Sequence, residues 1–259
     1  MYPIKKKLLI QQKKLKHLSA RVFNAKSLIL SQTNPYEVIE EYKHCKIRYY
    51  ASPNKKYQEP LVFVAPLAIN MAIYDLYPYP SLVKHFQHSG FDVYLLEWTK
   101  FNYQDRFLNF LSFIDDALPH CIDTICQHAQ SKDISLHGWS MAGVFVTLYT
   151  ALHQPEHVKN LIVLGSPIDS YASGRIGQLF KKINTLISRN HALQKPLYNG
   201  QIPKYFIHTS GRINALGFKI LDPKGWFESQ KQFLMNLANT QTVYEHATMG
   251  DFLNHMLDY

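Results

Sequence analysis

The chain has 259 residues, 46% of them apolar and only 18% charged, so it can fill one large α/β core and is expected to fold as a soluble globular protein. Its longest apolar runs, such as Leu61 to Ala65 and Leu161 to Leu164, fall far short of the roughly 18 residues that a spanning helix needs, which excludes a membrane-spanning reading. The formal charge of +9 belongs to one segment: the first 26 residues carry eight bases and no acid, leaving 20 bases against 19 acids in the rest, so a nucleic-acid partner is not expected.

That basic segment comes first in chain order. Ile4, Leu8, Leu15, Leu18, Val22 and Ile29 recur at helical steps on one stripe with lysines around it. The pattern predicts an amphipathic helix over residues 1–31, closed by Asn34-Pro35. Two readings stand beside each other. Residues 4–30 either lie on an anionic membrane or lipid-inclusion surface or pack on their own domain, and the absence of a Trp anchor favours packing. Lys5 to Ile10 is too short and too soon followed by lysines for a secretion signal. Cys45, Cys121 and Cys126 have neither disulfide nor metal-ligand spacing, so the cytoplasm is the default location, with storage granules or the inner membrane surface as associated sites, and no metal or cofactor is expected.

Tyr36 to Tyr50 reads as an extended approach to the core. Leu61 to Ala65 reads as a strand buried on both faces, and Asp92 to Trp98, Ile134 to His137 and Val158 to Leu164 as the second, third and fourth strands. They alternate with helical patterns at Ser81 to His88, Phe107 to Gln130 and Met141 to His153, which predicts a mostly parallel sheet with flanking helices. Beyond Pro167 the segments Gly177 to Ser188, Ala215 to Leu221 and Trp226 to Asn239 look helical, with Tyr205 to Thr209 the only strand contender. The segments expected are a basic helix over 1–31, a core over 32–169 and a helical, lid-like region over 170–259.

The sharpest chemical signal is Leu136-His137-Gly138-Trp139-Ser140-Met141-Ala142-Gly143, between a strand and a helix. A serine on so sharp a turn needs small residues two before and two after it, supplied here by Gly138 and Ala142, with Gly143 adding room. The pattern resembles the nucleophile elbow of an α/β-hydrolase, which predicts Ser140 as catalytic nucleophile. The competing reading is a plain turn with a capping serine. The backbone N–H of Met141 is the first oxyanion donor expected, and Leu67, after the Leu61 strand, the second.

Pro60 to Trp98, with its Tyr/Asp-Leu loop, Ser-Leu-Val helix and Asp-Val-Tyr-Leu strand, resembles the corresponding region of polyhydroxyalkanoate synthases. Ser140 to Gly143 falls at that family's elbow, PEHVKNLIVLGSPIDS is similar to the helix, strand and turn next along the family's chain, and Thr33 to Tyr50 and Leu221-Asp222-Pro223 also fit. The resemblance implies an acyltransferase that takes hydroxyacyl groups from coenzyme A thioesters and holds a polyester on its nucleophile. The family's nucleophile is normally cysteine, so Ser140 shifts the expectation toward ester or thioester hydrolysis. An ordinary esterase or polyester depolymerase is the alternative, as is a non-catalytic inclusion- or partner-binding homologue; an oligomer or a partner subunit stays open.

The acid and histidine of a triad should come after the nucleophile in the chain. Asp169 reads as a turn residue bonding its own backbone. His191, His208, His246 and His255 are late enough to be the base, with Asp222 or Asp251 as acid, but none follows a strand with an acid before it. His137 reads as a buried neighbour of the site. The late strands look missing, and the expectation is a chain that stops inside the lid.

Overall fold

The structure is a computed structural model that describes residues 2–30, 34–67, 69, 71–77, 79, 81–172, 174–198 and 211–254. In chain order the regular elements are α1 (Tyr2–Phe23), β1 (Glu37–Tyr42), β2 (Cys45–Tyr50), β3 (Leu61–Val64), α2 (Leu82–Ser89), β4 (Val93–Trp98), α3 (Leu118–Ala129), β5 (Ile134–Trp139), α4 (Met141–His153), β6 (Val158–Leu164), α5 (Gly174–Ser188), α6 (His191–Tyr198), α7 (Gly211–Leu221), α8 (Pro223–Met235) and α9 (Thr240–Asn254). The chain divides into two compact units. One gathers residues 1–34, 72–84 and 210–256, and the other residues 35–71, 85–209 and 257–259.

The second unit holds a six-stranded sheet in the order β1-β2-β4-β3-β5-β6. β4, β3, β5 and β6 run parallel, as the alternation of strands and helices predicts, and β2 and β1 add an antiparallel edge. β6 is not buried: it lies at the end of the strand order with β5 as its single strand neighbour among the described residues, and Leu161 to Leu164 are exposed. β3 is buried along its whole length because helices and neighbouring strands exclude water from both faces. Under the sheet, Phe145 of α4 meets Trp98 edge-on and stacks on Phe113 at 5.5 Å, which fixes α4 against the strands. This is an α/β-hydrolase architecture.

Tyr36 to Tyr50 is a hairpin, not a single extended approach. Its turn is made by Lys43 at φ 48°, a left-handed position filled without glycine or asparagine. The helical pattern from Phe107 to Gln130 is also interrupted. A 3-10 turn occupies Tyr103–Phe107 and a π turn Ser112–Ala117 leads into α3, where Leu118 donates to the Phe113 carbonyl. Pro119 lies just beyond, has no N–H to give, and favours such a widened turn over a regular one. Gln130 at φ 51° closes α3.

In the first unit α1 stops at Phe23 rather than running to Asn34-Pro35. Asn24 turns out of the helix at φ −148°, and a short 3-10 turn, Ala25–Leu28, comes next. The break drives Leu28 into a core with Phe233, Leu237, Val243 and Ala247, a tertiary gain that outweighs continuing the local periodicity. Residues 72–84 join this unit through polar contacts: Asp75 accepts from the Asn34 backbone at 2.5 Å and from the Ser81 hydroxyl at 2.5 Å, and the Tyr77 hydroxyl donates to the Glu245 carbonyl at 3.1 Å. No described helix is long and apolar enough to cross a membrane.

Candidate active site

β5 runs into α4 through Ser140, whose backbone sits at φ 55° and ψ −126°. Few non-glycine residues adopt such a conformation, and holding one there costs on the order of 1–3 kcal/mol. Three restraints hold it. The Ser140 amide donates to the Leu164 carbonyl of β6 at 2.9 Å, the Gly143 amide donates to the Ser140 carbonyl at 3.0 Å, and the turn is packed from both sides. A Cβ on Gly138 would lie 2.6 Å from the Ala142 carbonyl oxygen, the Gly143 Cα and Val146 Cγ2. A Cβ on Gly143 would run into Ser166, reaching 2.7 Å from its Cβ. The small residues therefore answer a real steric demand, and the demand arises from how closely α4 approaches β5 and the segment after β6.

The serine is half-buried, at the carboxyl end of the parallel strands and at the first turn of α4. Amides of a helix's first turn lack intrahelical acceptors and carry the positive end of its dipole, so the Met141 N–H can meet a developing oxyanion. Val64 of β3 pairs with Gly138 of β5, which brings the loop through Ala65, Pro66 and Leu67 to the same end of the sheet. That loop is pinned where the Ala65 amide donates to the Leu96 carbonyl at 2.9 Å and Trp98 Nε1 donates to the Ala65 carbonyl at 2.6 Å. Leu67 lies just beyond, half-buried.

The opposite end of the sheet is structural. Glu59 there accepts from the Ser135 hydroxyl and from Asn160 at 2.9 Å, and lies 3.4 Å from Lys159. Burial alone would raise its carboxyl, but these donors hold it below the usual range.

His137 lies on β5 with its ring 4.8 Å from Phe63, and burial pushes its imidazole below the ordinary histidine range. Asp169 accepts from the amides of Tyr171 at 3.0 Å and Ala172 at 3.2 Å, the local turn bonding expected of it. Asp222 is the N-cap of α8 and accepts from the Gly225 amide at 2.9 Å. His191 begins α6, on the surface. His246 lies in α9, stacked on Phe233 at 4.6 Å, and burial together with the nearby Arg21 charge lowers its imidazole. Asp251 also lies in α9, within the helical unit. His208, His255 and the strand contender Tyr205 to Thr209 lie outside the described residues. Among the described residues, no histidine or carboxylate hydrogen-bonds the Ser140 hydroxyl, and no group of three or more His, Cys, Asp or Glu is arranged to hold a metal ion. Sequence reasoning missed the contribution of Leu164 and Ser166 to the elbow; their only signal was the small pair Gly165-Ser166 directly after a strand.

Residues 70–202, just over half of the chain, match the family model of the alpha/beta hydrolase fold. The chain is 25% identical over 234 residues to the poly(3-hydroxyalkanoate) polymerase subunit PhaC of Haloferax mediterranei, covering 86% of this chain and 44% of that one. It is 23% identical over 244 residues to the same-named subunit of Haloarcula marismortui, covering 90% and 48%. With the subunit of Synechocystis sp. it shares 34% identity over 117 residues, covering 45% and 31%. The matched part thus spans less than half the length of these relatives. A shared fold model over the elbow, and similarity to polymerase subunits through most of the chain, agree with the strained serine turn: the chain belongs to the α/β-hydrolase family, on its polyhydroxyalkanoate-synthase-like branch.

Proposed function

We propose that this chain carries the nucleophile of an acyl-transfer enzyme acting on hydroxyacyl thioesters or polyesters, through an ester on Ser140. The observation that carries the proposal is the Ser140 backbone, held at φ 55° between a buried parallel strand and the first turn of α4. A capping serine has no need of that conformation; a nucleophile presented above a sheet does. In the reaction, Ser140 Oγ attacks the acyl carbonyl and loses its proton to a base, the oxyanion is met by the amides of Met141 and Leu67, and the thiolate leaves. Water or the hydroxyl of a second hydroxyacyl unit then attacks the ester carbonyl, the acyl–Oγ bond breaks, and the attacking group's proton returns to the Ser140 oxygen. An oxygen ester is less reactive toward exchange than a thioester, so transfer through serine is slower than through the cysteine usual in the resembled family. Similarity to polymerase subunits supports the substrate class.

Incubation with 3-hydroxybutyryl-coenzyme A, monitored as free thiol and as polymer, tests the proposal. Thiol release with polymer supports synthesis, and thiol release without polymer supports hydrolysis. Release that persists unchanged in Ser140→Ala removes Ser140 from the reaction. One observation favours a second reading, a non-catalytic homologue that binds inclusions or a partner subunit: among the described residues the Ser140 hydroxyl has no histidine partner. Absence of any thiol or ester turnover by the full-length protein would favour it.

A further inference from the structure

From Lys5 to Lys16 α1 has no packed face. Every side chain from Lys5 to Lys16 is exposed, and the helix is held to its unit only beyond that point. There His17 donates from Nδ1 to the Leu237 carbonyl at 2.6 Å, Ala20 packs against the Leu28 core, and the Arg21 guanidinium lies over the Phe233 ring at 5.6 Å. A free helix of about a dozen residues is marginal in water, and one bearing Lys5, Lys6, Lys7, Lys13, Lys14 and Lys16 with no acid also repels itself. Something outside the unit must compensate.

The wheel of the helix says what kind of surface that is. At about 100° per residue, Leu8, Leu15, Leu18 and Val22 fall within a stripe roughly 80° wide. They stay 41–67% exposed in the folded chain. The anchoring residues His17, Ala20 and Arg21 centre about 150° away, so the stripe points away from the unit that holds the helix. Lys7 and Lys14 flank one edge of the stripe and Lys5 and Lys16 the other. Lysine stems beside an apolar strip can reach outward to headgroups while the strip enters the acyl boundary. Nucleic acid would engage the lysines but leave the leucine stripe in water.

We infer that α1 docks this protein on an anionic phospholipid bilayer, apolar stripe down and lysines at the headgroups. The inference is independent of the chemistry at Ser140. Flotation of the full-length protein with vesicles of phosphatidylcholine, with and without phosphatidylglycerol, is the test. Binding is expected only to the anionic vesicles, weakening as salt rises. Leu15→Glu should lower the affinity at least about tenfold, from the loss of a buried leucine. Each of Lys7→Gln and Lys14→Gln should lower it about fivefold. Because Leu15 is 67% exposed, its variant should melt with the parent protein, and a large loss of stability would show that the stripe packs on the protein itself. Equal binding to neutral vesicles overturns the inference. So does wild-type binding by Leu15→Glu, or displacement from vesicles by duplex DNA with Leu15→Glu still bound to that DNA, which would mark a polyanion site.

Discussion

Gly143→Ala probes the elbow directly, because the main obstacle to its Cβ is one side chain, that of Ser166. That Cβ would collide with the Ser166 side chain, lying 2.7 Å from Ser166 Cβ and 3.0 Å from the Gly138 carbonyl oxygen. Overpacking of this kind costs about 1–3 kcal/mol, while replacing glycine by alanine within a helix returns up to about 1 kcal/mol. The net expectation is a loss of about 1–2 kcal/mol, or a fall in Tm of roughly 2–8 °C for a unit of this size. In a Ser166→Gly background the main collision is gone, the helix gain remains and only the 3.0 Å approach to the Gly138 carbonyl oxygen opposes it, so the same substitution should be near neutral. The two changes should therefore couple by about 2 kcal/mol in a double-mutant cycle read by thermal unfolding. Gly138→Ala, whose obstacles include two backbone atoms, should not be rescued by Ser166→Gly. Equal destabilisation by Gly143→Ala in both backgrounds would refute the packing described for the turn.

Ser140→Gly should raise stability by about 1 kcal/mol over Ser140→Ala, since glycine occupies φ 55° without strain; equal melting of the two would mean the turn stores none. Leu28→Ala should cost about 2–5 kcal/mol and speed hydrogen exchange in α9, because Leu28 is 2% exposed against Val243 and Ala247. Burial lowers the His137 imidazole, so the folded chain binds that proton less readily than the unfolded one. Stability should be full above about pH 6.5 and decline as pH falls through that value toward the lower folded one. His137→Leu should flatten this decline, and an unchanged slope would contradict the burial effect.

What was legible in the sequence was whatever local sterics dictate. Gly138, Ala142 and Gly143 mark the elbow because the turn admits nothing larger, and β3 shows as an apolar run because both of its faces are covered. β6 carries a similar run, Leu161 to Leu164, yet stays exposed, so an apolar run marks a strand without fixing its burial. What depends on distant partners was not. The β1–β2 hairpin turns on Lys43 rather than on a glycine or asparagine, so no turn signal announced it. α1 ends at Phe23 because Leu28 is drawn toward Leu237 and Val243, near the far end of the chain, while its local periodicity runs on to Ile29. Residues 72–84 join the helical unit through bonds such as Tyr77 to Glu245, which no window of neighbouring residues contains.

The central claim is that Ser140 is the acyl-accepting nucleophile. Reaction of the full-length protein with a fluorophosphonate, with digestion and mass mapping of the product, tests it most directly. The expected result is one phosphonylated peptide carrying the adduct on Ser140, absent from Ser140→Ala and from heat-unfolded protein. An adduct on another residue, or no adduct on folded protein that also turns over no thioester, would contradict it.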